Sequence, residues 1–93
     1  IFHLAAQALV FESYKSPEYT FKNNIISSIN LLEILRKYKK KVSVVFITSD
    51  KVYKNIEKLS GYNENSILGG EDPYSASKSS IEIILNAYIK SYF

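Results

Sequence analysis

The stretch VSVVFITSDK, residues 42–51, carries the strongest indication of the fold. Its first seven residues are rich in β-branched side chains and almost continuously apolar, which is typical of a strand covered on both faces. Strands of that kind occur in parallel sheets whose faces are packed by helices. Polar residues begin abruptly at Ser49, so the strand is predicted to end there.

Upstream of this strand, the sequence predicts a first strand and a long helix. Residues 1–6, IFHLAA, are an apolar run without helical periodicity that ends in two small residues, as a buried strand entering a loop would. Ser16 and Pro17 then supply the signals of a helix N-terminus. Apolar residues at helical spacing continue this helix toward a basic cluster: Phe21, Ile25, Ile29 and Leu32.

Downstream of the strand lies a long irregular segment, followed by a second long helix. Residues 50–72 contain no long periodic element, and segments of this length in compact domains are usually functional or disordered. Asp72 before Pro73 repeats the signal for a helix start. One face of the second helix is marked by Ile81, Ile84, Leu85, Tyr88 and Tyr92.

The order of strand, helix, strand and helix predicts an α/β fold. Such alternation implies right-handed crossovers onto a parallel sheet, so the chain is interpreted as part of a doubly wound, Rossmann-type domain. Two strands cannot complete such a sheet, and the chain opens on Ile1 rather than on methionine. We therefore expect residues 1–93 to be the central part of one domain.

Composition narrows the classes of function. The 93 residues contain no cysteine and one histidine, which excludes disulfides and thiolate metal sites and leaves little for an imidazole metal site. No apolar stretch is long enough to span a membrane, and the N-terminus lacks the basic start of a signal peptide, so we expect a cytoplasmic protein. The net charge of +3 is due to a cluster of lysine and arginine residues at positions 36–41. We interpret this cluster as the solvated end of a helix rather than as a nucleic-acid site.

Tyr74 and Lys78 form the first candidate catalytic pair. Four residues apart on the predicted helix, they share one face with about 5 to 6 Å between their Cβ atoms. A fixed ammonium favours the phenolate form of a tyrosine, and a phenolate can take a proton from a sugar hydroxyl. A surface tyrosine over a lysine stem would have the same spacing. The small residues Ser75 and Ser77 and the preceding long segment favour the catalytic interpretation.

Ser49, Asp50 and Lys51 follow the predicted buried strand, at the edge where open α/β sheets bind their ligands. A hydroxyl there can orient a substrate, a carboxyl can act as a general acid, and a lysine can act as a base or stabilise negative charge. These side chains are predicted to face the same crevice as Tyr74. The alternative is an Asx-type turn that closes the strand.

Other residues near the predicted strand ends have two interpretations each. Ala5 and Ala6 would let a cofactor lie close to the backbone, and ordinary small core residues fit the pattern equally well. Asn23 and Asn24 fall within the first helix, where asparagine is unfavourable. Asn24 is predicted either to bond to backbone at the strand ends or to face solvent. His3, between apolar neighbours, is interpreted as a satisfied core or edge histidine.

Four motifs together resemble the extended short-chain dehydrogenase/reductases. They are HLAAQ (residues 3–7), NN (23–24), TSDKVY (48–53) and YSASK (74–78), in the order and rough spacing of that superfamily. Within it, the chain resembles the CDP-glucose 4,6-dehydratases. Lys51 stands where most sugar-nucleotide 4,6-dehydratases have glutamate, and LGGEDPYSASK (68–78) is similar to that subgroup. Ala8 and Phe11 depart from its pattern, which has proline and arginine at these positions.

The resemblance implies an NAD-dependent loss of water from a nucleotide sugar, with five catalytic residues. Tyr74, held as a phenolate by Lys78 and assisted by Ser49, would remove the proton of the 4-hydroxyl as a hydride passes from C4 to NAD. Asp50 would protonate the departing 6-hydroxyl, and Lys51 would occupy the place of the base that takes the C5 proton. The product would be CDP-4-keto-6-deoxyglucose.

The resemblance also implies a cofactor and partners. The partners would be a nucleotide-sugar substrate and a second copy of the full-length protein, joined through the two long helices, with no nucleic acid and no membrane. The Gly-rich phosphate-binding turn and the C-terminal substrate region would lie outside these residues, and the fragment alone would be inactive. NAD would be contacted by Leu4, Ala5, Ala6, Asn23, Tyr74 and Lys78.

Three alternatives to this function remain open. The first is a nucleotide-sugar 4-epimerase, which would share Tyr74 and Lys78 without needing Asp50 and Lys51. The second is a dehydratase that acts on another nucleotide sugar. The third is a non-catalytic NAD-binding protein of the same fold, because a fold does not determine function.

Overall fold

The computed structural model describes residues 1–93, and its main elements follow the predicted order of strand, helix, strand and helix. The two strands are β1 (Phe2–His3) and β2 (Val45–Phe46). Between them lie α1 (Val10–Lys15), α2 (Pro17–Phe21), a π-helical turn (Lys22–Ile26) and α3 (Ser27–Lys37). A 3-10 turn (Asp50–Val52) follows β2, and the long helix α4 (Pro73–Tyr92) completes the order.

The strands β1 and β2 pair in parallel, with Phe2 opposite Val45. Backbone hydrogen bonds from Val45 N to Ile1 O (2.9 Å) and from Ile47 N to His3 O (3.1 Å) hold the pair. The parallel arrangement predicted from the sequence is thus confirmed. The predicted strands, residues 1–6 and 42–48, are longer than this ladder, because each strand has one neighbour and the backbone of residues 4–6 finds no partner in β2.

The two faces of this sheet differ. His3 and Phe46 are half-buried with ring centroids 5.1 Å apart, and α3 reaches this face through a hydrogen bond between Ser28 and His3. Phe2 is 73% exposed and Val45 is 45% exposed. Successive side chains of a strand point to opposite faces, so β2 is covered on one face. The prediction that it is covered on both is wrong for this chain.

The first long helix begins at Pro17, as predicted, but it is not regular. Ser16 makes no capping bond with its side chain; its carbonyl accepts bonds from the backbone N–H and the hydroxyl of Thr20, both at 3.1 Å. The π-helical turn interrupts the helix around Asn24, whose side chain is 1% exposed. Single π-helical turns inside helices occur frequently at functional sites.

The sequence pattern does not predict α1. Leu9 occupies its N-cap position and supplies no capping side chain, so the usual signal for a helix start is missing. The buried residue of α1 is Ser13, whose hydroxyl donates to Val10 O at 2.6 Å. A short helix that buries a serine shows no apolar periodicity.

The start of α4 is confirmed at Pro73. Asp72 caps it, because one carboxylate oxygen accepts the Ser75 N–H at 2.9 Å and the other accepts the Ser75 hydroxyl.

The core between α4 and the earlier helices is small and largely polar. Its fully buried apolar side chains are Leu32, Val52 and Ile81. Hydrogen bonds therefore join the elements where apolar packing is sparse. None of the helices has the length and hydrophobicity needed to cross a membrane. The buried small polar residues are Ser13, Thr20, Asn24, Ser28, Ser75, Ser77 and Ser79.

Candidate active site

The turn after β2 brings Ser49, Asp50 and Lys51 to the carboxyl end of the parallel sheet. The Ser49 hydroxyl accepts the Lys51 N–H at 3.2 Å and donates to the Asp50 carboxylate at 3.1 Å. The turn predicted as an alternative is therefore present, but a serine hydroxyl closes it rather than an Asx side chain. Closing the turn leaves the side chains of Asp50 and Lys51 exposed.

A cleft of about 380 Å³ lies between this turn and the start of α4. Asp50 and Lys51 line one side, and Ser75 belongs to the other. A carboxyl group, when protonated, can donate a proton into such a cavity, and an ammonium can stabilise negative charge there. The remaining lining residues are Tyr53, Asn55, Tyr62, Gly70, Glu71 and Asp72.

Tyr74 and Lys78 lie one turn apart on α4, outside the lining of this cleft. The prediction that Asp50 and Lys51 face the same crevice as Tyr74 is therefore wrong. Lys78 is 5% exposed, and its Nζ donates to Ile47 O at 3.1 Å. The interpretation of the pair as a surface tyrosine over a lysine stem is therefore wrong. Burial lowers the pKa of Lys78 from its ordinary value. Tyr74 is half-buried, and its hydroxyl makes no hydrogen bond within the chain, so it is available to a ligand.

Asn24 joins three parts of the site. Its side chain accepts the Gln7 N–H at 2.7 Å and donates to Gln7 O at 3.1 Å and to Ser77 Oγ at 2.9 Å. Ser77 Oγ in turn donates to Tyr74 O at 2.7 Å. The prediction that Asn24 bonds to backbone near a strand end is confirmed, and the network ties the segment after β1 to the first turn of α4. Asn23 is exposed.

Gln7 is a buried member of this network that sequence reasoning missed. Its amide nitrogen donates to Thr20 Oγ1 and to Leu9 O, both at 3.0 Å, so it fixes the path from β1 into α1. The available signal was a glutamine directly after a short apolar strand, where an unpaired polar group would be costly.

His3 is a hydrogen-bonded histidine in the sheet, as its apolar neighbours in the sequence predict. Its Nε2 lies 3.2 Å from Ser28 Oγ in a hydrogen bond. Burial, and then the charge of Lys78, lower the pKa of His3 below its ordinary value of 6.5. The ring is therefore neutral at pH 7.

The segment between β1 and α1 is open to ligands. Leu4 is 67% exposed, Ala5 is exposed, and Ala6 is half-buried. The backbone N–H and C=O groups of these three residues bond to nothing else in the chain. Small side chains and free backbone groups at a strand end suit a planar or ribose-containing ligand. No three histidine, aspartate or glutamate side chains cluster as a metal site would require.

Comparison with known proteins identifies the family. The family model described as GDP-mannose 4,6 dehydratase matches residues 1–93. The chain belongs to this family. The CDP-glucose 4,6-dehydratase of Salmonella typhimurium is 44% identical over 93 residues, which are 100% of this chain and 26% of that protein. The chain thus spans about a quarter of the length of that relative.

Solved structures in this group have the same fold. The UDP-glucose 4-epimerase of Thermus thermophilus, in complex with NAD, matches 98% of this chain and 29% of its own, with a TM-score of 0.87 and 33% identity. RMD from Pseudomonas aeruginosa, complexed with NADPH, matches 98% of this chain and 31% of its own, with a TM-score of 0.84 and 27% identity. The predicted Rossmann-type α/β fold is therefore confirmed. The relatives include sugar-nucleotide dehydratases and epimerases.

Proposed function

We propose that the full-length protein carrying this chain is an NAD-dependent nucleotide-sugar 4,6-dehydratase and that its substrate is CDP-glucose. The observation that carries this proposal is that Asp50 and Lys51 line one cleft beside the start of α4. An elimination needs a proton donor and a group that assists loss of a proton, whereas a 4-epimerisation needs neither beside the strand end. The 44% identity to a CDP-glucose 4,6-dehydratase supports the choice of substrate.

The residues of this chain fit NAD. Leu4, Ala5 and Ala6 offer free backbone groups at the end of β1. An ammonium has three N–H donors, and Lys78 uses one on Ile47 O, which leaves two for a ribose. When bound, NAD supplies reversible acceptance of a hydride, so the overall reaction is redox-neutral. The residues proposed to hold it are Leu4, Ala5, Ala6, Asn23, Tyr74 and Lys78.

The first proton transfer is assigned to Tyr74. Its hydroxyl has no partner within the chain, and the buried ammonium of Lys78 stands one turn away on the same helix. As a phenolate, Tyr74 would take the proton of the 4-hydroxyl while the hydride of C4 would be accepted by NAD, and the loss of both would leave a carbonyl at C4. Ser49 is proposed to assist by hydrogen bonding to the same hydroxyl.

The elimination is assigned to the turn after β2. The C4 carbonyl makes the C5 proton acidic, and Lys51 occupies the place of the base that removes it. Asp50 donates a proton to the 6-oxygen, so the C6–O bond breaks and water leaves. The electron pair of the C5–H bond becomes the double bond between C5 and C6. Return of the hydride to C6 and of a proton from Lys51 to C5 would then give the 4-keto-6-deoxy sugar and restore NAD.

We also propose that the full-length protein is a homodimer built through its long helices. Ile34 on α3 and Ile83 and Ile89 on α4 are 63%, 60% and 59% exposed. Exposed apolar residues on adjoining helices suit an interface between copies. Sedimentation equilibrium should give twice the monomer mass, and a monomer at micromolar concentration would contradict this.

The decisive experiment uses the purified full-length protein with CDP-glucose, dTDP-glucose and UDP-glucose. Absorbance of a 4-keto sugar in alkali, together with loss of one water by mass spectrometry and no net consumption of NAD, is the expected result with CDP-glucose. If the same product formed from dTDP-glucose or UDP-glucose instead, that nucleotide sugar, and not CDP-glucose, would be the substrate. A 4-epimer without loss of water would indicate an epimerase, and NAD binding without turnover would indicate a non-catalytic protein.

A further inference from the structure

Residues 54–67 form a loop whose two ends are tied together directly behind the turn that holds Asp50 and Lys51. Tyr53 and Leu68 form an antiparallel bridge. Hydrogen bonds run from Lys54 N to Ile67 O at 2.9 Å and from Gly69 N to Val52 O at 2.8 Å. Gly69 has no room for a side chain, because an added Cβ would lie 2.9 Å from Lys54 Cα. The loop base is therefore closely packed.

Tyr62 ties the far part of this loop back to its beginning. Its ring stacks on Tyr53, with centroids 5.7 Å apart and planes 10° from parallel. Its hydroxyl accepts the Ile56 N–H at 2.8 Å and donates to Asn55 Oδ1 at 3.0 Å. Asn55 Oδ1 also accepts the Glu57 N–H at 3.0 Å. The Tyr62 side chain thus holds both the aromatic stack on Tyr53 and the backbone at Ile56, near the start of the loop.

Both rings and Asn55 line the same cleft as Asp50 and Lys51. Tyr53 follows the 3-10 turn directly, and Val52, the last residue of that turn, is 3% exposed, so movement of Tyr53 would displace the turn. The geometry points to Tyr62 as a positioning residue that acts through Tyr53 and Asn55 to hold the Asp50 carboxyl toward the substrate's 6-oxygen.

This inference rests on the proposed dehydratase function, and it predicts an effect on one chemical step. The 6-hydroxyl leaves only when it receives a proton, which Asp50 supplies. Fluoride leaves C6 as an anion and does not need that proton. A substrate analogue with fluorine in place of the 6-hydroxyl therefore reports on the loss of the C5 proton and on the fold, but not on the position of Asp50.

The test compares CDP-glucose with CDP-6-deoxy-6-fluoroglucose in the full-length protein. Tyr62→Leu removes the stack and both hydrogen bonds, and Tyr62→Phe keeps the stack alone. We expect kcat on CDP-glucose to fall about 10-fold in Tyr62→Leu and less in Tyr62→Phe, since a general acid contributes about 10²–10⁴ in rate when held in place. On the fluoro analogue, both variants should retain kcat within about twofold.

Tyr38→Leu is the matched control, because Tyr38 is exposed at the end of α3 and makes no side-chain hydrogen bond. It should leave both rates unchanged. Equal losses on the two substrates would show a general structural effect and overturn the positioning role, as would unchanged kcat in Tyr62→Leu. An unsubstituted protein that eliminates neither water nor fluoride would instead overturn the proposed function, and the positioning role with it.

Discussion

At Asp50, the carboxylate accepts a hydrogen bond from Ser49 and borders the cleft beside Lys51. Replacement by asparagine keeps the size of the side chain and removes the proton that the 6-oxygen needs. We expect kcat of the full-length Asp50→Asn protein on CDP-glucose to fall about 10²–10⁴-fold, with KM little changed. Product formation measures this. The control Glu18→Gln alters an exposed carboxylate on α2. Turnover of Asp50→Asn within about twofold of the unsubstituted protein would contradict the role.

His3 links stability to pH. Burial and the charge of Lys78 lower its pKa in the folded protein below the ordinary value of 6.5, so the unfolded chain binds the proton more readily. The contribution of neutral His3 is fully present above about pH 6.5 and is lost as the pH falls toward the lowered pKa. Urea unfolding of the full-length protein at pH 7.5 and pH 5.5 should show this loss, and His3→Gln should reduce it. An identical dependence in the variant would exclude His3 as its source.

Helix α4 depends on its cap. Asp72 accepts two hydrogen bonds from Ser75, so Asp72→Ala should cost about 0.5–2 kcal/mol of the free energy of unfolding. Glu71→Ala is the control, because the Glu71 side chain makes no hydrogen bond or ion pair and its loss should cost within about 0.5 kcal/mol. Thermal unfolding of the full-length variants measures both. Equal stability of the two would show that the cap contributes nothing.

Elements whose signals are local could be predicted from the sequence. Pro17 and Pro73 mark true helix starts, and the apolar run before Ser49 marks a true parallel strand. Helix α1 was missed because it has neither a capping side chain nor an apolar face. The strand lengths were overestimated because ladder length depends on neighbouring strands, which a single stretch of sequence does not specify.

The candidate site was predicted in its parts but not in its connections. The roles of Asp50 and Lys51 are predicted from their position at the end of a strand, and that of Lys78 from its helical spacing to Tyr74. Tyr62 stacks on Tyr53, and Gln7 bonds to Asn24. Both contacts depend on the path of a loop, which local periodicity in the sequence does not predict.

For the whole molecule, the small apolar core predicts that the 93-residue chain alone is marginally folded. Leu32, Val52 and Ile81 are its fully buried apolar residues, whereas Phe2 remains 73% exposed. Burial on this scale does not offset a backbone entropy cost of about 1–2 kcal/mol per residue. We expect the isolated chain to lack a cooperative thermal transition and to bind a hydrophobic dye. A sharp transition at all concentrations would contradict this.

The three bonds of Asn24 also set an order of events during synthesis. Its bonds to Gln7 span 17 residues, and its bond to Ser77 spans 53. The shorter connection can close before α4 has left the ribosome, whereas the longer one must wait for α4. Contacts so distant along the chain form slowly. In a nascent chain stalled before Ser77, the Asn24 side chain would therefore have its bonds to Gln7 but not its bond to Ser77. Such a chain presents a partly assembled surface on which a chaperone can act.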